Sequence, residues 1–223
     1  MDQASMLRRM KKASEEKNGS NAPLPEVAVE GQLTQRPVRV IAITSGKGGV
    51  GKTNVATNLA YHLSQMRKKT LILDADMGLA NIDVILGIAP KYNLYHVLRG
   101  EKALADVIVD GPGGMKILPA TSGIPEMGEL SRGEKLALID ELDGLGSDLD
   151  FMLIDTAAGI AGNVIYFNVA AREIIVVVSP EPTSITDAYA LIKILYNNHG
   201  EKRFMLLVNL AKNSNEAREV FRK

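Results

Sequence analysis

The stretch "TSGKGGVGKTNVATNLA", Thr44–Ala60, restricts the fold more than any other part of the chain. Behind it stands "VRVIAIT" (Val38–Thr44), a β-branched run that reads as a buried strand. Ahead of it Lys52–Gln65 reads as a helix. Between the two, Gly46–Thr53 spells glycine, four residues, glycine, lysine, threonine. A strand, this loop and a helix in succession make a phosphate cradle. Glycines let the backbone wrap an anion without Cβ clashes, and successive N–H groups form an anion nest. The start of the helix aims its positive end at the same point. The expected binding residues are Gly46, Lys47, Gly48, Gly49, Val50, Gly51, Lys52, Thr53 and Asn54. Lys52 neutralises the β and γ phosphates, and the Thr53 hydroxyl coordinates magnesium.

Four further apolar runs follow: Thr70–Asp76, Phe151–Thr156, Glu173–Ser179 and Phe204–Asn209. Helical stretches fall between them, near Lys52–Gln65, Arg132–Leu145, Gly162–Ala171 and Ser184–Asn197. Such alternation predicts a doubly wound α/β fold, a mostly parallel sheet with helices on both faces. Ligands then belong beyond the carboxyl ends of the strands, where the loops carrying Lys47, Asp76 and Asp155 emerge. Before Val38 the character differs. Residues 2–17 are charged and lightly amphipathic, and Asn18–Pro37 is rich in Gly, Ser, Asn and Pro. The expected division is therefore a tail with a flexible tether over 1–37 and a P-loop domain over 38–223.

Composition removes several chemistries. The chain has no cysteine, which excludes disulfides, thiolate nucleophiles and cysteine-held clusters. His62, His96 and His199 lie far apart, without metal-ligand spacing. Lys plus Arg equals Asp plus Glu at 26 each, so no overall field points to nucleic acid. No run approaches the ~20 apolar residues of a membrane span, and the N-terminus lacks an apolar signal core. The expected location is the cytoplasm.

A cradle needs one lysine, yet this loop carries Lys47 as well as Lys52. "KGGVGKT", Lys47–Thr53, resembles the signature of the deviant Walker A ATPases, the MinD/ParA group. The resemblance implies ATP with Mg2+ as ligands, ATP hydrolysis, and an ATP-dependent homodimer. It makes Lys47 the lysine that reaches the partner's nucleotide and Lys52 the ordinary one. It also makes "DADMGLANID" (Asp74–Asp83) the first switch, with Asp76 orienting the attacking water and Asp74 near the metal shell. In "FMLIDTAAG" (Phe151–Gly159) it makes Asp155 the aspartate that holds magnesium through water, along with Thr53. Two readings of Asn209 stay open: it reads the adenine edge, as asparagine does in family members, or it is a strand-end turn residue. Pro182, in "SPEPTSITDAY", either shapes the adenine pocket or ends a strand.

Within that group, "DADMGLANIDVILGI" and Asn93–Gly123 resemble the FlhG (FleN) branch, and so does "DQASMLR" at Asp2–Arg8. The branch regulates flagellar number and placement. Its N-terminal segment stimulates the GTPase FlhF, which makes Asp2, Gln3, Leu7 and Arg8 the expected partner-activating residues. A MinD-like division-site regulator and a ParA-like partition ATPase are the alternatives. Family members continue to an amphipathic membrane-targeting helix, whereas this chain stops at Lys223. The expectation is a C-terminally truncated domain that does not bind membrane, the full-length form being peripheral at the inner membrane.

Overall fold

The apolar runs become strands because helices cover both of their faces. The computed structural model describes residues 37–77, 81–120, 130–145 and 148–222. Within them run β1 (Arg39–Ser45), β2 (Thr70–Ala75), β3 (Val109–Asp110), β4 (Lys116–Leu118), β5 (Phe151–Ala158), β6 (Glu173–Val178) and β7 (Met205–Val208). They form a seven-stranded sheet in the order β3-β4-β2-β5-β1-β6-β7. Only the β3–β4 pair is antiparallel. β1 sits between β5 and β6, and the chain crosses to opposite sides of it, so a ligand crevice opens at its carboxyl end.

The helices are α1 (Lys52–Gln65), α2 (Ile82–Leu86), α3 (Leu94–Leu98), α4 (Leu104–Val107), α5 (Arg132–Leu145), α6 (Gly162–Ala170), α7 (Pro182–His199) and α8 (Ser214–Arg222). Alternate strand residues feed different cores, as a period of two requires. Ile41, Ile43, Ile72 and Leu153 pack with Ala56 and Ala60 of α1. Leu71, Leu73, Met152 and Ile154 face the other way, against Leu138 and Leu142 of α5 and Phe167 of α6. On that second face Val176 and Val178 meet Val164 of α6 and Leu191 and Leu195 of α7. The sheet is doubly wound, as its sequence implies. Each fully buried Leu, Ile or Phe stabilises the fold by roughly 1.5–3 kcal/mol.

Several boundaries shift by one or two residues, and the start of α7 does so for a local physical reason. α7 begins at Pro182, in the first turn, where the N–H that proline lacks has no helical acceptor to lose. Thus Pro182 opens a helix. β5 runs on to Ala158, two residues past Thr156. Residues 1–36, with Asp2, Gln3, Leu7 and Arg8, lie outside the described residues. Among the described residues no helix is long and apolar enough to cross a membrane.

Candidate nucleotide site

The β1–α1 loop owes its path to two close approaches. Gly51 takes φ +86° at the N-cap of α1, where an L side chain is strained. A Cβ there would also lie 2.4 Å from Asn209 Nδ2. At Gly46 a Cβ would stand 2.2–2.5 Å from backbone atoms of Asp187 and Ala188, so the loop rests on α7. Asn209 Nδ2 donates to Val50 O at 2.9 Å, and Ser45 Oγ donates to Lys47 O at 2.9 Å. No side chain caps α1. Asn209 thus braces the cradle from the end of β7.

Lys52 and Asp155 meet beneath the loop. Lys52 Nζ donates to Asp155 Oδ1 at 2.9 Å, and both side chains are buried. Burial raises the Asp155 carboxyl above its ordinary pKa, while Lys52 and the Thr53 hydroxyl pull it back. Its Oδ2 is buried without a hydrogen-bond partner. Sheet register sets Asp74 of β2 directly beside Asp155 of β5. Burial, then the charge of Asp155, pushes the Asp74 carboxyl up to about 7. Three backbone N–H groups oppose that rise: Asp76 N donates to Oδ1 at 3.1 Å, and Asn81 N and Ile82 N donate to Oδ2 at 3.1 and 3.2 Å. Asp74 therefore anchors the loop after β2 and the start of α2.

The fold brings Lys52, Thr53, Asp74, Asp76 and Asp155 to one edge. Half-buried Asp76 stands near enough for its charge to raise Asp155. Gly48, Gly49 and Asn54 are exposed, and Asn54 O accepts from Asn58 Nδ2 at 2.8 Å. Lys47 turns to the start of α7: its ammonium pairs with Glu181 and donates to Thr183 Oγ1 at 2.9 Å. Sequence reasoning passed over Glu181 and Thr183 although it singled out Ser179–Tyr189. The available signal was an acid beside the proline that opens a helix, with a hydroxyl two residues on.

A family model described as "AAA domain" (AAA_31) matches residues 38–206. The antiactivator FleN of Pseudomonas aeruginosa is 50% identical over 190 residues, 85% of this chain and 68% of its own. The chain belongs to the FlhG/FleN family of MinD/ParA-type P-loop ATPases. The flagellum site-determining protein YlxH of Helicobacter pylori is 39% identical, over 82% of this chain and 62% of its own length. The chain therefore spans about two thirds of these FlhG/FleN relatives. Among solved structures, the septum site-determining protein MinD of Pyrococcus horikoshii, complexed with Mg-ADP, superposes with a TM-score of 0.68 at 28% identity. That likeness covers 82% of this chain and 77% of MinD.

Proposed function

We propose that this chain is an ATP-dependent dimerising switch ATPase that regulates flagellar number and placement. The observation that carries the nucleotide part is the buried Lys52–Asp155 pair under a glycine loop braced by Asn209. A buried pair left to itself contributes little net stability, because desolvation offsets its attraction. Polyphosphate supplies the stronger partner for Lys52. When ATP enters, the Lys52 ammonium passes from Asp155 to the phosphates and the loop N–H groups take up phosphate oxygens. Asp155 Oδ2, unpartnered and buried, and the Thr53 hydroxyl fit a magnesium ion and would hold it, with Asp74 beside them. Magnesium held there would offset the charge of the phosphates. Asp76 positions the attacking water. Lys47 leaves Glu181 and reaches the nucleotide of a second copy.

The flagellar part rests on kinship. Identity to the P. aeruginosa antiactivator, 50%, exceeds the 34–40% to relatives named as septum site-determining MinD, which favours it over a division-site role. In this reading the segment with Asp2, Gln3, Leu7 and Arg8 stimulates the GTPase FlhF.

Two substitutions test the division of labour between the lysines. Lys52→Ala should lose nucleotide binding, weakening it about a hundredfold or more as the phosphates lose their direct countercharge. Lys47→Ala should bind ATP within about threefold of wild type, since its ammonium is turned to Glu181 and Thr183 at the start of α7, yet form no dimer with it. Calorimetry and size-exclusion chromatography in ATP and in ADP decide the matter. Equal loss of binding in both variants would refute the assignment.

A further inference from the structure

The β1–β5 ladder breaks register at one place. Ile43 pairs with Asp155, yet Ser45 pairs with Ala158, so Thr44 faces both Thr156 and Ala157. A bulge in a parallel pair is rare, forfeits ladder hydrogen bonds, and recurs beside active sites. This one begins just after Asp155 and closes at Gly159, whose N–H donates to Ser45 O at 2.9 Å. Side chains make up for the lost ladder. Thr156 Oγ1 lies 2.9 Å from Ala157 O, 3.0 Å from Thr44 Oγ1 and 3.3 Å from Ile43 O. From α6, Asn168 Nδ2 donates to Thr44 Oγ1 at 3.2 Å and to Val164 O at 2.7 Å.

All three side chains are fully buried, at 0% exposure. The Thr156 hydroxyl has three acceptors in reach, and Asn168 Oδ1 is buried without a partner. Apolar side chains of the same shape would fill this space but would take the Thr156 donor from the Ile43 and Ala157 carbonyls at the bulge. Packing alone does not explain three polar residues here. Their location does. Thr44 stands two residues before Gly46 of the cradle, Thr156 follows Asp155, and Asn168 lies on the helix that follows Gly159. Gly159 itself holds φ +94°, the conformation of a chain that turns sharply out of the sheet.

We infer that Thr44, Thr156 and Asn168 are positioning residues for hydrolysis, which pin the bulge and so fix Asp155 and the Gly159 turn relative to the phosphate loop. The inference rests on the nucleotide reading of that loop. Misplacing a group by an ångström is enough to slow phosphoryl transfer, where catalysis is mostly positioning. None of the three touches substrate; they act through Asp155 and the backbone after it.

The test compares isosteric with hydroxyl-keeping changes. Thr44→Val and Thr156→Val should each lower kcat about tenfold, while ADP affinity stays within about threefold. Thr44→Ser and Thr156→Ser should recover most of that rate. The double valine variant should be about as slow as the slower single one, because the two residues share one bond. Hydrogen exchange at the Gly159 amide supplies a readout that needs no turnover: faster in Thr156→Val, restored in Thr156→Ser. Should a valine variant fail to fold, Asn168→Leu carries the test, with kcat lowered and Gly159 exchange raised. Serine variants as slow as valine variants, or an Asn168→Leu protein matching wild type in both readouts, would overturn the inference. Wild-type protein that binds no ATP would instead overturn the nucleotide reading, and the exchange measurement would still decide the role of the bulge.

Discussion

One buried ammonium serves two buried carboxylates at the strand ends. Lys52 bonds Asp155, and Asp74 must stand beside that pair with backbone N–H groups as its support. Burial, and after it the neighbouring Asp155 charge, favours a proton on Asp74 and pushes its pKa up to about 7. A carboxyl with a folded pKa above its unfolded value binds more proton in the folded state between the two. Stability should therefore fall as pH rises from about 4 towards about 7, then level off. Urea unfolding of nucleotide-free, metal-free protein from pH 5 to 8 measures this, with Asp74→Asn as reference. The wild-type-minus-variant difference should decline up to about pH 7; a flat difference would mean that Asp74 does not carry the proton. Lys52 and Asp155 were legible in the sequence because a phosphate loop and a strand-end aspartate are local patterns. The Asp74–Asp155 repulsion was not, since it depends on β2 and β5 being neighbours in register.

Elements were legible in proportion to their length. Leu71–Leu73 in β2 and Ile174–Val178 in β6 are unbroken apolar runs, and α1 and α5 are long enough for periodicity to show. β3 has two residues and β4 three, too few for any pattern. α2, α3 and α4 have five, five and four residues and exist through their neighbours. α3 starts at a reciprocal cap between Asn93 and His96, and the start of α2 hangs on the Asp74 carboxylate. At the start of α7, Glu181 holds Lys47 within its own chain. Lys47 is 35% and Glu181 61% exposed, and pairs this exposed contribute at most about 1 kcal/mol, roughly fivefold in an equilibrium. Glu181→Gln should therefore ease ATP-dependent dimerisation, by no more than about fivefold in midpoint concentration. Analytical ultracentrifugation across ATP concentrations reads it. Weaker dimerisation in the variant would mean that Glu181 meets the second copy itself.

At the scale of the whole molecule, the proposed function needs two activities that do not interfere. The candidate nucleotide site is built from strand ends between Ser45 and Asn209, all within one compact unit, Gln35–Lys223. The "DQASMLR" segment precedes it by the sequence Asn18–Pro37, whose composition implies a tether. In the proposed function the segment would fold on its partner, since short isolated helices are marginal in water. Leu7 and Met10 would supply apolar contacts there and Arg8 a charged one. Gln3 would approach the GTPase centre, where a glutamine amide can orient water. A peptide of residues 1–20 should by itself stimulate FlhF GTPase, and Gln3→Ala should weaken that effect. Deleting residues 1–20 should abolish stimulation while ATP turnover stays within about twofold of the intact chain, because none of the described site residues is removed. A deleted protein that still activates FlhF in full would exclude the segment as activator and move the partner surface onto the ATPase domain.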